Sequence, residues 1–333
     1  MNMKNFRHLF KVLCFATLTI TFVTACSEGE IITPNGVVSD NNGNNDNGGN
    51  NGNQGVNGNE GEITLYKVNG LTIQKIQDYN VTGKDLEYQK DVAKHNQIWD
   101  LVTKIVPEDQ LKKVGEFVIY NGTPTGSAGF VVQIKRDLSS WKMGIAINYA
   151  YEGGFNARGQ LAYTIIHEFG HVLTLNDTQL TAGQNNCSTY DPGEGCAKES
   201  SYINELYQNH WKDIWPEYQT ASNAGEDALR TFYEKYRDRF VTAYAATNPP
   251  EDIAEVFATF ITRRDKPQGN TVAENKILLM YNRSELVSFR NHIRKNLSLR
   301  GRGATTGFIL PEPGSWKQAD RIGKSCRHHK KHY

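Results

Sequence analysis

The sequence has 333 residues, of which 38% are hydrophobic and 22% charged, and its 37 Lys and Arg residues nearly balance its 36 Asp and Glu residues, for a formal net charge of +1. Without a basic surplus, or a basic stripe interleaved with aromatic residues, no nucleic-acid partner is expected. The length is sufficient for one sizeable hydrophobic core.

The first 25 residues have the pattern of a secretory signal peptide. Basic residues precede an apolar run over residues 12–23, which is too short to span a membrane. The run ends in Val-Thr-Ala-Cys, which resembles the lipobox of bacterial lipoproteins. The resemblance implies that Cys26 is lipidated and anchors the protein to a membrane. The alternative is an ordinary secreted protein that is cut near Ala25 and keeps Cys26 unmodified.

The residues after Cys26 predict a tethered domain. Ser27 is typical of outer-membrane sorting in such lipoproteins, so the resemblance predicts an outer-membrane lipoprotein of the cell envelope, facing the periplasm or the surface. Residues 26–62 are predicted to be the lipidated cysteine and a disordered tether, because their Asn/Gly-rich tract has almost no apolar surface to bury. Residues 63–300 are the predicted folded domain.

The C-terminal residues 301–333 read as an irregular basic tail. They contain Cys326 and three histidines, His328, His329 and His332. Histidines in a basic terminus are more typical of solvated side chains than of a metal site. No function is assigned to this tail.

The folded domain begins with a predicted amphipathic helix over residues 85–105, where apolar residues recur at helical intervals. Three strand-like runs follow over residues 115–122, 128–136 and 142–150, and Gly, Pro and Ser residues separate them. Asn156 is the predicted N-cap of the next helix.

That helix is expected to run to about Leu175 and to end in a left-handed cap at Asn176 and Asp177. The segment after it has little pattern apart from a helical stretch. Cys187 and Cys196 in this segment either form a loop disulfide in an oxidising compartment or remain unpaired thiols. The predicted later helical segments cover residues 201–213, 224–240, 249–262 and 272–298. A helix, a small sheet and then mostly helices predict an α+β fold.

The helix ending near Leu175 carries a His-Glu-x-x-His pattern. His167 and His171 are four residues apart and project from one face, so their imidazoles can share one Zn²⁺ ion. Glu168 can reach a water on the open side of that ion. The alternative is a helix whose histidines pair with carboxylates or water, although burying them among apolar residues without a metal would be costly.

Two carboxylates compete to be the third zinc ligand. Asp177 would require the chain to turn sharply after His171, at a position occupied by the β-branched Thr174, so Asp177 is expected to face away. Glu251 lies near the start of the helix that follows Asn248 and two prolines.

Glu255 follows Glu251 at helical spacing. Glu251 could bind zinc, and Glu255 could accept the spare N–H of a ligating histidine. By spacing alone they could equally be a capping acid and a solvated acid.

The combined pattern resembles the gluzincin metallopeptidases. "HEFGH" is followed about 70 residues later by Tyr244, a Thr-Asn pair, Glu251 and an Ala-Glu pair ending at Glu255, at the offsets of the lethal-factor type. Import-associated bacterial lipoprotein metallopeptidases are similar too. The resemblance implies a zincin-like domain, one Zn²⁺ per chain on His167, His171 and Glu251, and peptide-bond hydrolysis.

Within the resemblance each remaining residue has an expected role. Glu168 is the general base, and the hydroxyl of Tyr244 faces the substrate carbonyl, although Tyr244 could also be an ordinary core tyrosine. The strand near residues 141–149 is expected to be an edge on which an extended peptide docks. The expected partners are a peptide or protein substrate, the membrane through the lipid anchor, and an outer-membrane transport complex. The protein itself is expected to be a monomer.

A second function class competes with the peptidase. In it the chain is a tethered binding lipoprotein with structural zinc that assists an outer-membrane nutrient receptor without cutting. Structural zinc sites usually have four protein ligands, whereas the sequence offers three. A fourth protein ligand would favour the binding protein, and an open position would favour the enzyme.

Overall fold

The computed structural model describes residues 61–184 and 186–299, which combine a small, mostly antiparallel sheet with a mainly helical C-terminal part. The predicted α+β class is confirmed at this level. The strands are β1 (Glu62–Asn69), β2 (Thr72–Asp78), β3 (Val114–Tyr120), β4 (Gly129–Gln133), β5 (Trp141–Ala146), β6 (Leu180–Ala182) and β7 (Gly195–Ala197).

Helices occupy most of the remaining described chain. Two 3₁₀ turns, Arg237–Arg239 and Tyr244–Thr247, lie among them. The α-helices are α1 (Gly83–Lys90), α2 (Val92–Ile105), α3 (Glu108–Leu111), α4 (Ile147–Ala150), α5 (Gln160–Leu175), α6 (Tyr202–His210), α7 (Trp215–Ala224), α8 (Glu226–Lys235), α9 (Pro249–Thr262), α10 (Val272–Tyr281) and α11 (Ser284–Asn296).

The larger sheet has the strand order β2-β1-β3-β5-β4. β5 pairs in parallel with β3 and antiparallel with β4, so it is an interior strand, and the prediction that it forms an edge is wrong. The reason is that β3, which is distant in sequence, pairs with the other side of β5, and the local sequence of a strand does not encode such a partner. The edge on this side of the sheet is β4.

The β1–β2 hairpin was not predicted. Asn69 and Thr72 pair across its turn, and Gly70 adopts a positive φ of 59°. Asn-Gly between two runs rich in β-branched and aromatic residues is a strong hairpin signal, so the sequence contained the information. β1 begins at Glu62, one residue before the predicted start of the domain.

The helix predicted over residues 85–105 is two helices. α1 ends and α2 begins around Asp91, whose backbone leaves the helical conformation at ψ 66°. The Asp91 carboxylate accepts a hydrogen bond from the backbone N–H of Lys94, so it caps α2. Aspartate favours caps over helix interiors because its side chain competes for backbone donors.

The bounds of α5 differ from the prediction at its start. Its N-cap is Gly159, and the side chain of Asn156 accepts a hydrogen bond from the N–H of Arg158 in the preceding turn. The helix ends at Leu175 as predicted. Asn176 follows in an extended conformation at φ −77° and ψ 176°, so the expected left-handed cap is wrong. Its side-chain amide donates to the carbonyls of Val172 and Leu173, which satisfies the helix end without a positive φ.

The segment after α5 has more structure than predicted. β6 and β7 form a two-stranded antiparallel sheet, and a disulfide joins Cys187 to Cys196, a residue of β7. Most of the helical segments predicted farther along the chain are present, as α6 and α8 to α11, with α8 shorter than expected and followed by a 3₁₀ turn. The helix α7 was not predicted. The predicted start of α9 at Asn248 is confirmed.

One hydrophobic core connects the sheet to the helical part. Its buried side chains come from elements between β1 and α11, and α5 is buried along almost its whole length. A helix that is apolar on every side is expected in the middle of a core. Among the described helices, none has the length and hydropathy needed to cross a membrane. Cys26, the tether before residue 61 and the tail with Cys326 lie outside the described residues.

Candidate metal centre

α5 brings the two histidines of the sequence motif together. The rings of His167 and His171 are 4.7 Å apart between centroids and nearly perpendicular, and their Nε2 atoms are 3.0 Å apart. Both side chains are fully buried. The four-residue spacing on a continuous helix is sufficient to produce this arrangement.

α9 supplies the third member of the group from 80 residues farther along. α5 and α9 cross closely at Gly170, where a β-carbon would lie 3.2 Å from the Cα atom of Ala254. Glu251 is one turn earlier in α9, and the side chain of Asn248 caps that turn by accepting a hydrogen bond from the N–H of Glu251. One carboxylate oxygen of Glu251 is 3.2 Å from Nε2 of His167 and 3.3 Å from Nε2 of His171.

These three residues could hold a metal ion, since one donor atom of each lies within 4.8 Å of the others. Tetrahedral ligands about 2.1 Å from a zinc ion lie roughly 3.4 Å from one another, close to the separations observed. Two imidazole nitrogens and one carboxylate oxygen also form a donor set that suits zinc. No other group of this kind is found among the described residues.

The protonation of His167 is consistent with a cation at the centre of the group. Its Nδ1 atom is 2.7 Å from Oε1 of Glu255. A carboxylate only accepts hydrogen bonds, so Nδ1 carries a proton, and the other ring nitrogen then directs its lone pair towards Glu251. Two acceptors facing each other at 3.2 Å need either a second proton or a metal ion between them.

Electrostatics support the same interpretation. Burial lowers the pKa of His167, but its contacts with Glu251 and Glu255 outweigh burial and raise that pKa to about 10. Burial also works to raise the pKa of Glu251, yet the charges and hydrogen bonds of His171 and His167 hold it well below its usual range. The group therefore combines an anionic carboxylate with a site that attracts a positive charge, and a metal ion would take the place of the proton on Nε2 of His167.

Glu168 lies next to this group and is fully buried. The backbone of the edge strand β4 passes directly over its side chain. A β-carbon at Gly129 would lie 2.9 Å from Cγ and 3.0 Å from Oε1 of Glu168, and 2.6 Å from Cγ2 of Thr164. Glycine allows this close approach, which places the carboxylate beside the sheet edge.

Tyr244 lies close to one of the two histidines. It begins the 3₁₀ turn that precedes α9, is only 3% exposed, and its ring centroid is 5.9 Å from that of His167. The structure thus brings Tyr244 to the candidate site. The proposed interaction of its hydroxyl with a substrate carbonyl stays a prediction.

Asp177 is not part of the group. α5 continues straight through Thr174, whose hydroxyl donates to the carbonyl of Gly170. The carboxylate of Asp177 is partly exposed and accepts a hydrogen bond from Nζ of Lys113 at 2.8 Å. The carboxylate six residues beyond His171 therefore forms a surface ion pair, as the argument from Thr174 predicts.

The sequence analysis missed the residues that hold Glu255. Oε2 of Glu255 accepts hydrogen bonds from the hydroxyl of Tyr163 at 3.2 Å and from that of Thr242 at 2.7 Å. Burial and the charge of Glu255 raise the pKa of Tyr163 well above its usual value, so its hydroxyl keeps its proton. Tyr163 lies four residues before His167 on the same helix, a spacing that could have suggested it. Thr242 gave no such signal.

No protein-family model matches the chain, and no curated protein or solved structure matches it significantly. The resemblance in sequence pattern is therefore not supported by an independent relative. The function has to be inferred from the geometry and chemistry of the site itself.

Proposed function

We propose that this chain is a zinc-dependent peptidase of the gluzincin type, with a zincin-like domain. The observation that carries the proposal is the buried group of two histidines and one glutamate with Glu168 directly beside it. Three protein ligands leave one position of a tetrahedral zinc ion open, as in catalytic rather than structural zinc sites.

The roles of the protein's own residues follow from their positions. His167, His171 and Glu251 would hold the ion, and Glu255 fixes the tautomer of His167 by accepting its Nδ1 proton. A zinc ion bound there would lower the pKa of a water molecule towards about 7 and polarise the scissile carbonyl. Glu168 takes the proton of the attacking water and passes it to the leaving amine. The Tyr244 hydroxyl donates to the oxygen on which negative charge develops.

β4 is the part of the sheet suited to hold an extended substrate. It is the edge strand on this side, and Gly129 brings its backbone against Glu168. An extended peptide that paired with β4 would add a strand through main-chain hydrogen bonds and pass close to the proposed base. This proposal replaces the interior strand β5 with β4 as the docking edge.

The test is Glu168→Gln compared with the unchanged protein on a peptide library. The variant should retain zinc but lose turnover by at least 100-fold, because the amide cannot accept the proton of the attacking water. Glu226→Gln, an exposed residue at the start of α8, is the matched control and should cleave normally. Normal cleavage by Glu168→Gln would overturn the mechanism. Zinc binding by the unchanged protein without cleavage of any peptide would favour a binding protein instead.

We further propose that the domain is tethered to a membrane through lipid on Cys26, with access to peptides in the cell envelope. The support is the lipobox-like sequence and the Asn/Gly-rich segment that follows it. Labelled fatty acid should enter the full-length protein and be lost in Cys26→Ala. Equal labelling of the two proteins would contradict the anchor.

A further inference from the structure

Thr242 lies two residues before Tyr244 and is not one of the three candidate metal ligands. Its hydroxyl oxygen is in contact with two partners from different parts of the site. Oγ1 is 2.7 Å from Oε2 of Glu255 in α9, and the backbone N–H of Ala245 in the 3₁₀ turn donates to the same Oγ1 at 3.1 Å. Thr242 thus connects the turn that carries Tyr244 with the carboxylate that holds His167.

The direction of these bonds is fixed by their chemistry. A backbone N–H can only donate, so Ala245 occupies a lone pair of the threonine oxygen. The single hydroxyl proton of Thr242 then points to Glu255, which as a carboxylate accepts it. The hydroxyl therefore has one satisfied arrangement. That arrangement fixes one oxygen of Glu255 while the other oxygen accepts the Nδ1 proton of His167 at 2.7 Å.

We propose that Thr242 is a positioning residue that sets the zinc affinity of the site by fixing the carboxylate of Glu255. This inference rests on the proposed function, because it requires that His167, His171 and Glu251 hold zinc. It adds a residue from outside α5 and α9 to the residues that control the metal. Tyr163 supports the same oxygen from within α5, at the longer distance of 3.2 Å.

The effect is transmitted through the orientation of one imidazole ring. A carboxylate that holds the Nδ1 proton of a ligating histidine raises the basicity of the nitrogen that binds the metal. If Glu255 loses its short hydrogen bond from Thr242, its carboxylate can rotate about its terminal torsion, and the ring of His167 loses its fixed acceptor. Substitution of residues that orient metal ligands typically lowers metal affinity about 10- to 100-fold.

The experiment measures zinc affinity of the purified protein by competition with a chelator. Thr242→Val keeps the shape of the side chain and removes the hydroxyl, and it should weaken zinc binding roughly tenfold, the lower end of that range. Thr242→Ser keeps the hydroxyl and should retain the original affinity. If Thr242→Val does not fold because of its additional methyl group, Thr242→Ala also removes the hydroxyl and replaces it in the experiment.

The matched control is Thr262→Val. Thr262 is buried at the far end of α9, and its hydroxyl donates only to the carbonyl of Ala258 in that helix. This variant loses a threonine hydroxyl as Thr242→Val does, so it should be destabilised without losing zinc affinity. If Thr242 contributed only to general stability, Thr242→Val and Thr262→Val would have the same zinc affinity.

A double-variant cycle tests the route through Glu255. In a Glu255→Ala background, Thr242→Val should change zinc affinity no further, because the carboxylate that it fixes is gone. The same tenfold loss in that background would overturn the inference. The inference would also be overturned if Thr242→Val and Thr242→Ala both bound zinc as tightly as the unchanged protein. If the unchanged protein binds no zinc, the proposed function fails and the inference fails with it, an outcome distinct from the other two.

Discussion

Gly129 and Glu168 show how one missing side chain can determine the geometry of the proposed general base. The backbone of β4 reaches the Glu168 side chain because residue 129 has no β-carbon, and the space that such an atom would need is already occupied by Glu168 and Thr164. The carboxylate is therefore restrained by the strand on which a substrate would lie. Proximity of this kind matters for catalysis because displacements of about 1 Å can cost 100-fold in rate.

We expect Gly129→Ala to retain zinc and lose roughly 100-fold in kcat/KM. The new methyl group would lie within 3.0 Å of the Glu168 carboxylate and 2.6 Å of Thr164, so Glu168 has to move while the three candidate metal ligands keep their contacts. The measurement is peptide turnover together with zinc content.

Gly115→Ala is the control for this substitution. A β-carbon at Gly115 in β3 would lie 2.4 Å from Oγ of Ser140 and would strain the same sheet away from Glu168. It should lower stability and leave turnover per folded molecule unchanged. Equal losses of turnover in the two variants would mean that Gly129 acts only through the stability of the sheet.

At the scale of elements, the site depends on the crossing of α5 and α9. Small residues at the crossing let the two helices approach, and the Asn248 cap starts α9 where Glu251 can face the histidines. The next residue, Asp252, is fully buried and pairs with Nζ of Lys276 in α10 at 2.5 Å. Nε1 of Trp211 donates to the same carboxylate oxygen at 2.7 Å.

Lys276→Met should therefore destabilise the protein by about 3 kcal/mol or more, because it leaves the buried charge of Asp252 without its partner. The double variant Lys276→Met with Asp252→Asn should recover part of that loss, since the neutral amide can still accept from Trp211. Chemical denaturation of the three proteins gives the two differences in free energy of unfolding.

The control for that experiment is Lys235→Met, which breaks the pair with Glu217 on the surface. Both of these side chains are about half exposed, and exposed pairs contribute little. This variant should unfold at nearly the original denaturant concentration. If Lys235→Met and Lys276→Met lowered the free energy of unfolding by similar amounts, burial of the Asp252–Lys276 pair would not matter for stability.

The sequence predicted the elements with strong local signals and missed those that depend on tertiary contacts. The end of α5 at Leu175 was predicted from local sequence, and so was the start of α9 at Asn-Pro-Pro. The break at Asp91 was missed because the apolar residues that predicted one helix lie almost entirely in α2, whereas α1 has no buried side chain. The interior position of β5 depends on pairing between strands that are distant in sequence, and no local pattern encodes it.

The same division applies to the site residues. The pairing of His167 with His171 and the exclusion of Asp177 follow from helix geometry, which the sequence determines. Glu251 and Glu255 could be placed only with help from the resemblance, because their spacing alone fitted two ordinary acids. The contacts of Gly129 and Thr242 arise where separate elements meet, so they are visible only in the folded protein.

For the whole molecule, the continuous core explains why a site assembled from distant segments can be rigid. α5 is buried between the sheet and the later helices, so His167, His171 and Glu168 are held inside one hydrophobic cluster together with α9. Buried imidazoles and carboxylates would be costly there unless they were paired, and a shared cation would satisfy several of them at once. We therefore propose that the core contains a zinc site in which Glu251 is the third protein ligand.

The most direct test of that claim is zinc content, measured by mass spectrometry of the metal after dialysis of the purified protein and of Glu251→Ala and Asp177→Ala. Both substitutions remove one carboxylate, but only Glu251 lies with the two histidines. We predict that the unchanged protein and Asp177→Ala each retain about one zinc ion per chain and that Glu251→Ala loses it. A full complement of zinc in Glu251→Ala, or an empty Asp177→Ala, would contradict the site described here.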